Sequence, residues 1–133
     1  MQGYAVGELN ESASRCRRRI VEMVYKAQSG HPGGSLSCID ILVGLYRSVM
    51  RFDPDNPGWE DRDRFIMSKG HASPAVYSIL RDVGVLDDSD LDGFRSLGSV
   101  CQGHVDRKWT DGVDFSAGSL GMGLSFGLGS ALA

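Results

Sequence analysis

Glycine placement is the feature that most constrains this chain. Eighteen of its 133 residues are glycine, nearly twice the usual share of about 7%. They have no three-residue period, which excludes a collagen-type helix. They cluster instead, as in Ser29-Gly30-His31-Pro32-Gly33-Gly34-Ser35 and Gly118-Ser119-Leu120-Gly121-Met122-Gly123. Clustered glycines let the backbone approach a neighbour closely, and they punctuate helices. The fold they permit is a set of helices separated by glycine loops.

Between those loops the hydrophobic periodicity reads as helix. Ile20, Met23, Val24 and Ala27 recur at spacings of three and four, which predicts an amphipathic helix over Leu9 to Ala27. Proline and three glycines then predict a loop over Ser29 to Ser35. A second, well-buried helix is expected from Leu36 to Met50. Asp53 to Asp63, with Pro54 and Pro57, reads as a polar turn region. Arg64-Phe65-Ile66-Met67 is a short apolar run that predicts a buried strand. Ser73 as N-cap with Pro74 at the first helical position opens a third helix, which Gly84 ends. A short helix over Ser89 to Ser96, a long loop over Gly98 to Ser119 and a helix over Gly121 to Ala133 complete the pattern. There is no repeat and no internal domain boundary. A lone strand cannot satisfy its own hydrogen bonds, and residues 124–133 carry no charge. Both features suggest a piece of a larger α/β unit.

Hydrophobic residues make up 41% of the chain and charged residues 23%, a globular composition rather than a disordered one. A formal net charge of -3 provides no basic field for nucleic acid or an anionic membrane. The basic run Arg15, Arg17, Arg18 and Arg19 falls in a helical pattern and reads as a solvated face or a partner contact. Cys16, Cys38 and Cys101 are odd in number and form no C-x-x-C pair. They argue against a disulfide scaffold or a zinc ribbon and for a reducing compartment, the cytoplasm. The apolar tail is too short and glycine-rich to span a bilayer.

The chain has three histidines, and each follows a glycine: Gly30-His31, Gly70-His71 and Gly103-His104. Loop histidines on a rigid scaffold are placed to face a ligand, and the shared context points to a shared site. Their separations of 40 and 33 residues offer no H-x-H or H-x-x-x-H metal spacing. The Gly118–Gly123 stretch leads into a helix N-terminus, where backbone N–H groups favour an anion or a closely approaching ligand. It contains neither G-x-G-x-x-G nor G-K-[ST], so dinucleotide and P-loop readings fail.

Four stretches, in order, resemble the N-terminal part of the transketolase family: K-A-Q-S-G-H-P-G-G-S-L-S with its I-D-I-L helix, D-R-F-I-M-S-K-G-H-A-S-P-A-V-Y, L-G-S-V-C-Q-G-H and S-A-G-S-L-G-M-G-L-S. They span most of residues 20 to 133. The short lead before them is similar to the small-subunit form of split transketolases. The resemblance implies an incomplete thiamine-diphosphate-binding domain of the α/β class over residues 1–133, mostly helical with few strands. It implies a transferase that moves a two-carbon ketol unit from a ketose to an aldose, active only with complementary chains.

The same resemblance assigns residues. His71 would contact the cofactor diphosphate. Gly118, Ser119 and Leu120 would lie at the cofactor, with backbone groups of Gly118 and Leu120 near its aminopyrimidine ring. His31 and His104 would line the substrate channel, bind the sugar and help with proton transfer. Ser29 and Lys69 would shape their loops. No metal ligand is assigned within the chain. The family's glycine-aspartate-glycine magnesium motif would follow the last helix, and the activating glutamate belongs to the pyrimidine-binding domain. Magnesium and activation would therefore come from complementary chains. Val105 stands where the family often has proline. A second reading, favoured by the missing magnesium motif, is a non-catalytic remnant or an interaction module.

Overall fold

The computed structural model describes residues 3–133. Helix α1, Val6–Ala27, begins three residues earlier than the periodicity suggests. Glu8 explains the early start: its Oε2 accepts the Ala5 backbone N–H at 2.8 Å and closes the first turn. One face of α1, carrying Ser12, Ala13, Cys16, Ile20 and Met23, is buried. It packs on α4, Ser73–Val83, whose residues from Ser73 through Leu80 are all buried. The approach is close enough for the Cys16 thiol to donate to the Ser78 carbonyl at 3.5 Å. Burial, followed by the Asp82 charge, pushes the Cys16 thiol up to about 12, so this cysteine is an inert packing group.

The expected loop at Ser29–Ser35 contains one helical turn, α2, over Pro32–Leu36. Proline is tolerated there because the first turn has no intrahelical use for its missing N–H. The expected helix from Leu36 to Met50 is divided. Ser37 Oγ donates to the Gly34 carbonyl at 3.0 Å and Cys38 Sγ to the same carbonyl at 3.4 Å. These side-chain bonds compete with helix propagation. Helix α3 then runs over Ile39–Gly44 and widens into a π turn, Leu45–Val49. That turn seats buried Tyr46 edge-on against Phe52 and Phe65, at centroid distances of 5.1 and 5.7 Å.

The strand expected at Arg64–Met67 is extended backbone without a ladder, and no strand occurs among the described residues. Asp114 takes the place of a pairing partner. Its carboxylate accepts the Phe65 N–H at 3.0 Å and pairs with the Arg62 guanidinium at 2.5 Å. The extended segments 63–67 and 113–118 are thereby tied by a side chain. The chain is thus mostly helical, consistent with an incomplete α/β domain.

Helix α4 starts at Ser73 itself, so the serine is not its N-cap. The Ser73 hydroxyl donates instead to the Gly103 carbonyl at 3.0 Å. Gly84 ends the helix with a left-handed φ of 103°, as its position suggests. Helix α5 is shorter than expected, Asp88–Asp92, and is capped reciprocally by Asp87 and Asp90. Helix α6, Met122–Leu132, follows the long loop. A Cβ on Gly123 would lie 2.6 Å from Ser68 Cβ, so glycine is required where α6 meets the Ser68–Lys69 turn.

The basic run on α1 is not simply a solvated face. Arg15, Arg19 and Arg47 converge on Asp82 of α4 at 3.0, 3.0 and 2.6 Å, and Ser12 donates to the same carboxylate. The Asp82 side chain is 2% exposed. Burial opposes its charge, but the hydrogen bonds from Arg15, Ser12, Arg47 and Arg19 outweigh it and hold the carboxyl well below the usual carboxylate range.

Candidate functional site

Each histidine sits where a helix begins or a loop is pinned. His31 immediately precedes α2. His71 lies in a 3-10 turn, Gly70–Ala72, that leads into α4. Any side chain at position 70 would collide with the Ala117 carbonyl, so glycine is required beside His71. His104 lies in the long loop. The Tyr77 hydroxyl of α4 donates to the carbonyls of Gln102 and His104 at 2.9 and 3.2 Å.

The result is one cluster. The His31 and His71 rings meet edge-on with centroids 5.1 Å apart, and those of His71 and His104 are 6.5 Å apart. His71 is half-buried in the middle, while His31 and His104 are exposed on either side. Gly34 approaches His71 closely, since a Cβ there would stand 3.5 Å from its Nε2. Lys69 donates from Nζ to the Gly34 carbonyl at 2.7 Å and to Ser37 Oγ at 3.2 Å. It therefore clamps α2 beside the histidines. Ser29 accepts a hydrogen bond from Arg95.

The electrostatics are one-sided. Burial, then the neighbouring His31, His104 and Lys69 charges, push the His71 imidazole below the ordinary histidine range. The centre of the cluster is thus neutral near pH 7, among groups that are neutral or cationic. This donor set suits an anion. Among the described residues, no three His, Cys, Asp or Glu side chains are set to hold one metal ion.

Gly118 shares a shallow cleft of about 450 Å³ with His104, Asp106, Trp109 and Ser116. Ser119 and Leu120 are exposed on the approach to α6 and form no part of that cleft. Of the residues that hold the histidine loops, Ser73 and Tyr77 fall inside the D-R-F-I-M-S-K-G-H-A-S-P-A-V-Y stretch, where nothing marks them as loop anchors, and Arg95 lies outside all four stretches. Tyr77 leaves one signal, a tyrosine within a buried helix whose hydroxyl requires a partner.

The sequence matches the family described as transketolase, thiamine diphosphate binding domain, over residues 9–133. It is 41% identical over 126 residues to the 6-deoxy-6-sulfo-D-fructose transketolase subunit of a Clostridium strain, covering 95% of this chain and 46% of that one. It is 42% identical over 128 residues to one subunit of the apulose-4-phosphate transketolase of Phocaeicola vulgatus, covering 96% and 45%. The chain thus spans just under half the length of these relatives. Among solved structures, transketolase from Leishmania mexicana matches with a TM-score of 0.89 at 36% identity, covering 93% of this chain and 19% of that one. Transketolase from Campylobacter jejuni matches with a TM-score of 0.86 at 39% identity, covering 96% and 20%. A match over nearly the whole chain, with the same fold in solved relatives, places this protein in the transketolase N-terminal family of thiamine-diphosphate-binding domains.

Proposed function

We propose that the chain is the N-terminal part of a transketolase-like transferase that moves a two-carbon ketol unit between sugars or related acceptors. Residues 1–133 act as a partial domain that works with complementary chains. One observation carries the reading: the three glycine-preceded histidines, far apart in sequence, converge on one face beside two helix starts. That arrangement fits an anionic cofactor flanked by a polyol.

Thiamine diphosphate, when bound, supplies the nucleophilic carbon and electron sink for ketol transfer. His71 and the backbone around Gly118, Ser119 and Leu120 would hold it. His71 is kept neutral by its surroundings, so its imidazole can donate one hydrogen bond to a phosphate oxygen without itself carrying a charge. A phosphate oxygen nearby would draw a second proton onto the ring. His31 and His104 are exposed and are free to hydrogen-bond sugar hydroxyls and exchange protons through their ring nitrogens. Magnesium would be held by groups outside these residues.

The partners would be the complementary transketolase chains that carry the magnesium motif and the pyrimidine-binding domain. Among the described residues no helix is long and apolar enough to cross a membrane. The three free, buried cysteines suit a reducing cytoplasm.

Co-expression with the neighbouring reading frames and assay of ketol transfer from a ketose phosphate to an aldose acceptor tests the proposal. Activity that requires both this chain and thiamine diphosphate is the expected result. An assembled complex that binds no thiamine diphosphate would overturn it and favour the interaction-module reading.

A further inference from the structure

Arg95 has the most unusual setting of any residue outside the histidine cluster. Its backbone is left-handed, with φ 64°, one of two such non-glycine residues among those described. Its N–H donates to the Cys101 carbonyl at 2.9 Å, which closes the loop leading to His104. Its Nη1 donates to Ser29 Oγ, two residues before His31. The remainder of the guanidinium lies under Gly103, where a Cβ would stand 3.0 Å from Nε and 3.1 Å from Nη2. The buried Nε has no partner. Phe94 adds a parallel contact, since a Cβ on Gly30 would lie 3.4 Å from its ring.

We propose that Arg95 is a positioning residue that couples the Ser29–His31 loop to the Gly103–His104 loop and so fixes the spacing of the two outer histidines. A planar guanidinium suits this task, because Nη1 donates to Ser29 while Nε and Nη2 lie against Gly103 and the guanidinium carbon stands 5.8 Å from the centre of the Phe94 ring. The strained backbone and the unpartnered Nε are retained because this one side chain touches both loops, whereas Ser73 and Tyr77 of α4 hold the Gly103–His104 loop alone. Gly103 is then glycine in order to admit the guanidinium, and Ser29 is polar in order to receive it. His71 is held by its own turn at the start of α4, and the Gly70 carbonyl of that turn accepts the Val105 N–H at 3.3 Å. The catalytic meaning of this coupling rests on the transketolase reading, but the coupling itself does not.

The test uses the assembled protein and follows the ring resonances of the three histidines by NMR in Arg95→Ala and Ser29→Ala. Arg95→Ala should shift the His31 and His104 resonances together, and that of His71, which lies between their rings, less than either. Ser29→Ala, which keeps the guanidinium, should shift His31 more than His104. In turnover, Arg95→Ala should lower kcat/KM by about 100-fold, the scale expected when reacting groups are misplaced by about 1 Å. Thiamine diphosphate affinity should stay within about twofold, because this side chain does not reach the predicted diphosphate contact. Outer histidine resonances that remain unmoved in Arg95→Ala would overturn the proposal, even if the variant melts earlier. If Arg95→Ala does not fold, an unmoved His31 resonance in Ser29→Ala overturns it in the same way. Coupled resonances in a protein without ketol-transfer activity would uphold the Arg95 role and sink the functional reading alone.

Discussion

Helices α4 and α6 have the same length, 11 residues each, and opposite environments. Eight residues of α4 are buried, whereas Gly123 is the single buried residue of α6 among those described. Leu124 and Leu132 are 83% and 80% exposed. The more apolar helix is thus the less covered one. Helix α4 carries Arg81 and Asp82 in its last turn, and both anchor it by ion pairs. Helix α6 carries no charge at all. Helix α6 thus leaves most of its apolar surface uncovered, while α4 is the centre of a core. The histidine cluster lies at the start of α4, and its glycine loop lies at the start of α6.

Substitutions should separate the two helices sharply. Leu80→Ala in α4 should cost about 2–5 kcal/mol in urea unfolding of the 133-residue chain, the range for a fully buried leucine. Leu124→Ala measured on the 133-residue chain alone should change stability by less than about 0.5 kcal/mol, as for an ordinary surface site. Comparable losses at the two positions would mean that α6 is already packed, and the contrast would fail.

Asp82 provides the next largest effect. Asp82→Ala leaves Arg47 and Arg19 partly buried without their carboxylate, and should cost about 3 kcal/mol, the lower end for a broken buried pair because Arg15 is half exposed. Its folded-state pKa is depressed, so this stability is complete above the unfolded value of about 3.9 and fades as pH falls below it. Acid unfolding monitored by circular dichroism should therefore begin at a higher pH in the variant. An unchanged acid transition would show that the arginine hub contributes nothing.

Much of this was legible in the sequence, for physical reasons that differ from place to place. The apolar period of α1 and the Gly84 stop on α4 are local signals, and local signals survive reading. Gly30-His31, Gly70-His71 and Gly103-His104 announce a shared site because glycine permits the close backbone approach that gathers distant loops. The arginine run misleads because its partner, Asp82, lies more than sixty residues away, and a charge run alone looks the same whether solvated or paired. The strand at Arg64–Met67 fails because a strand is a relation between two segments, and here the Asp114 side chain occupies the pairing position. The π turn at Leu45–Val49 and the coupling by Arg95 depend on tertiary contacts that leave no periodic trace.

A smaller effect concerns pH at the cluster. Because His71 is held below the ordinary histidine range, it is unprotonated near neutrality, and a diphosphate placed beside it would raise its pKa. Binding would then take up a proton and strengthen as pH falls through the histidine range, by at most about tenfold per unit for one proton. The folded protein itself should lose stability over the same descent below about pH 6.5, since the unfolded chain binds the proton more readily. Calorimetry of thiamine diphosphate binding in buffers of different ionisation enthalpy measures the uptake. Proton release on binding would reverse the assigned role of His71.

The most direct test compares His71→Ala with His104→Ala in the assembled protein, measuring the thiamine diphosphate dissociation constant and kcat/KM for ketol transfer side by side. In the proposed reading the central histidine, at the start of the covered helix, contacts the cofactor, and the exposed one contacts the sugar. His71→Ala should weaken cofactor binding by about 1–3 kcal/mol, the loss of one hydrogen bond to a charged group. His104→Ala should leave the dissociation constant nearly unchanged and lower kcat/KM. A cofactor site emptied by His104→Ala and left filled by His71→Ala would contradict the account.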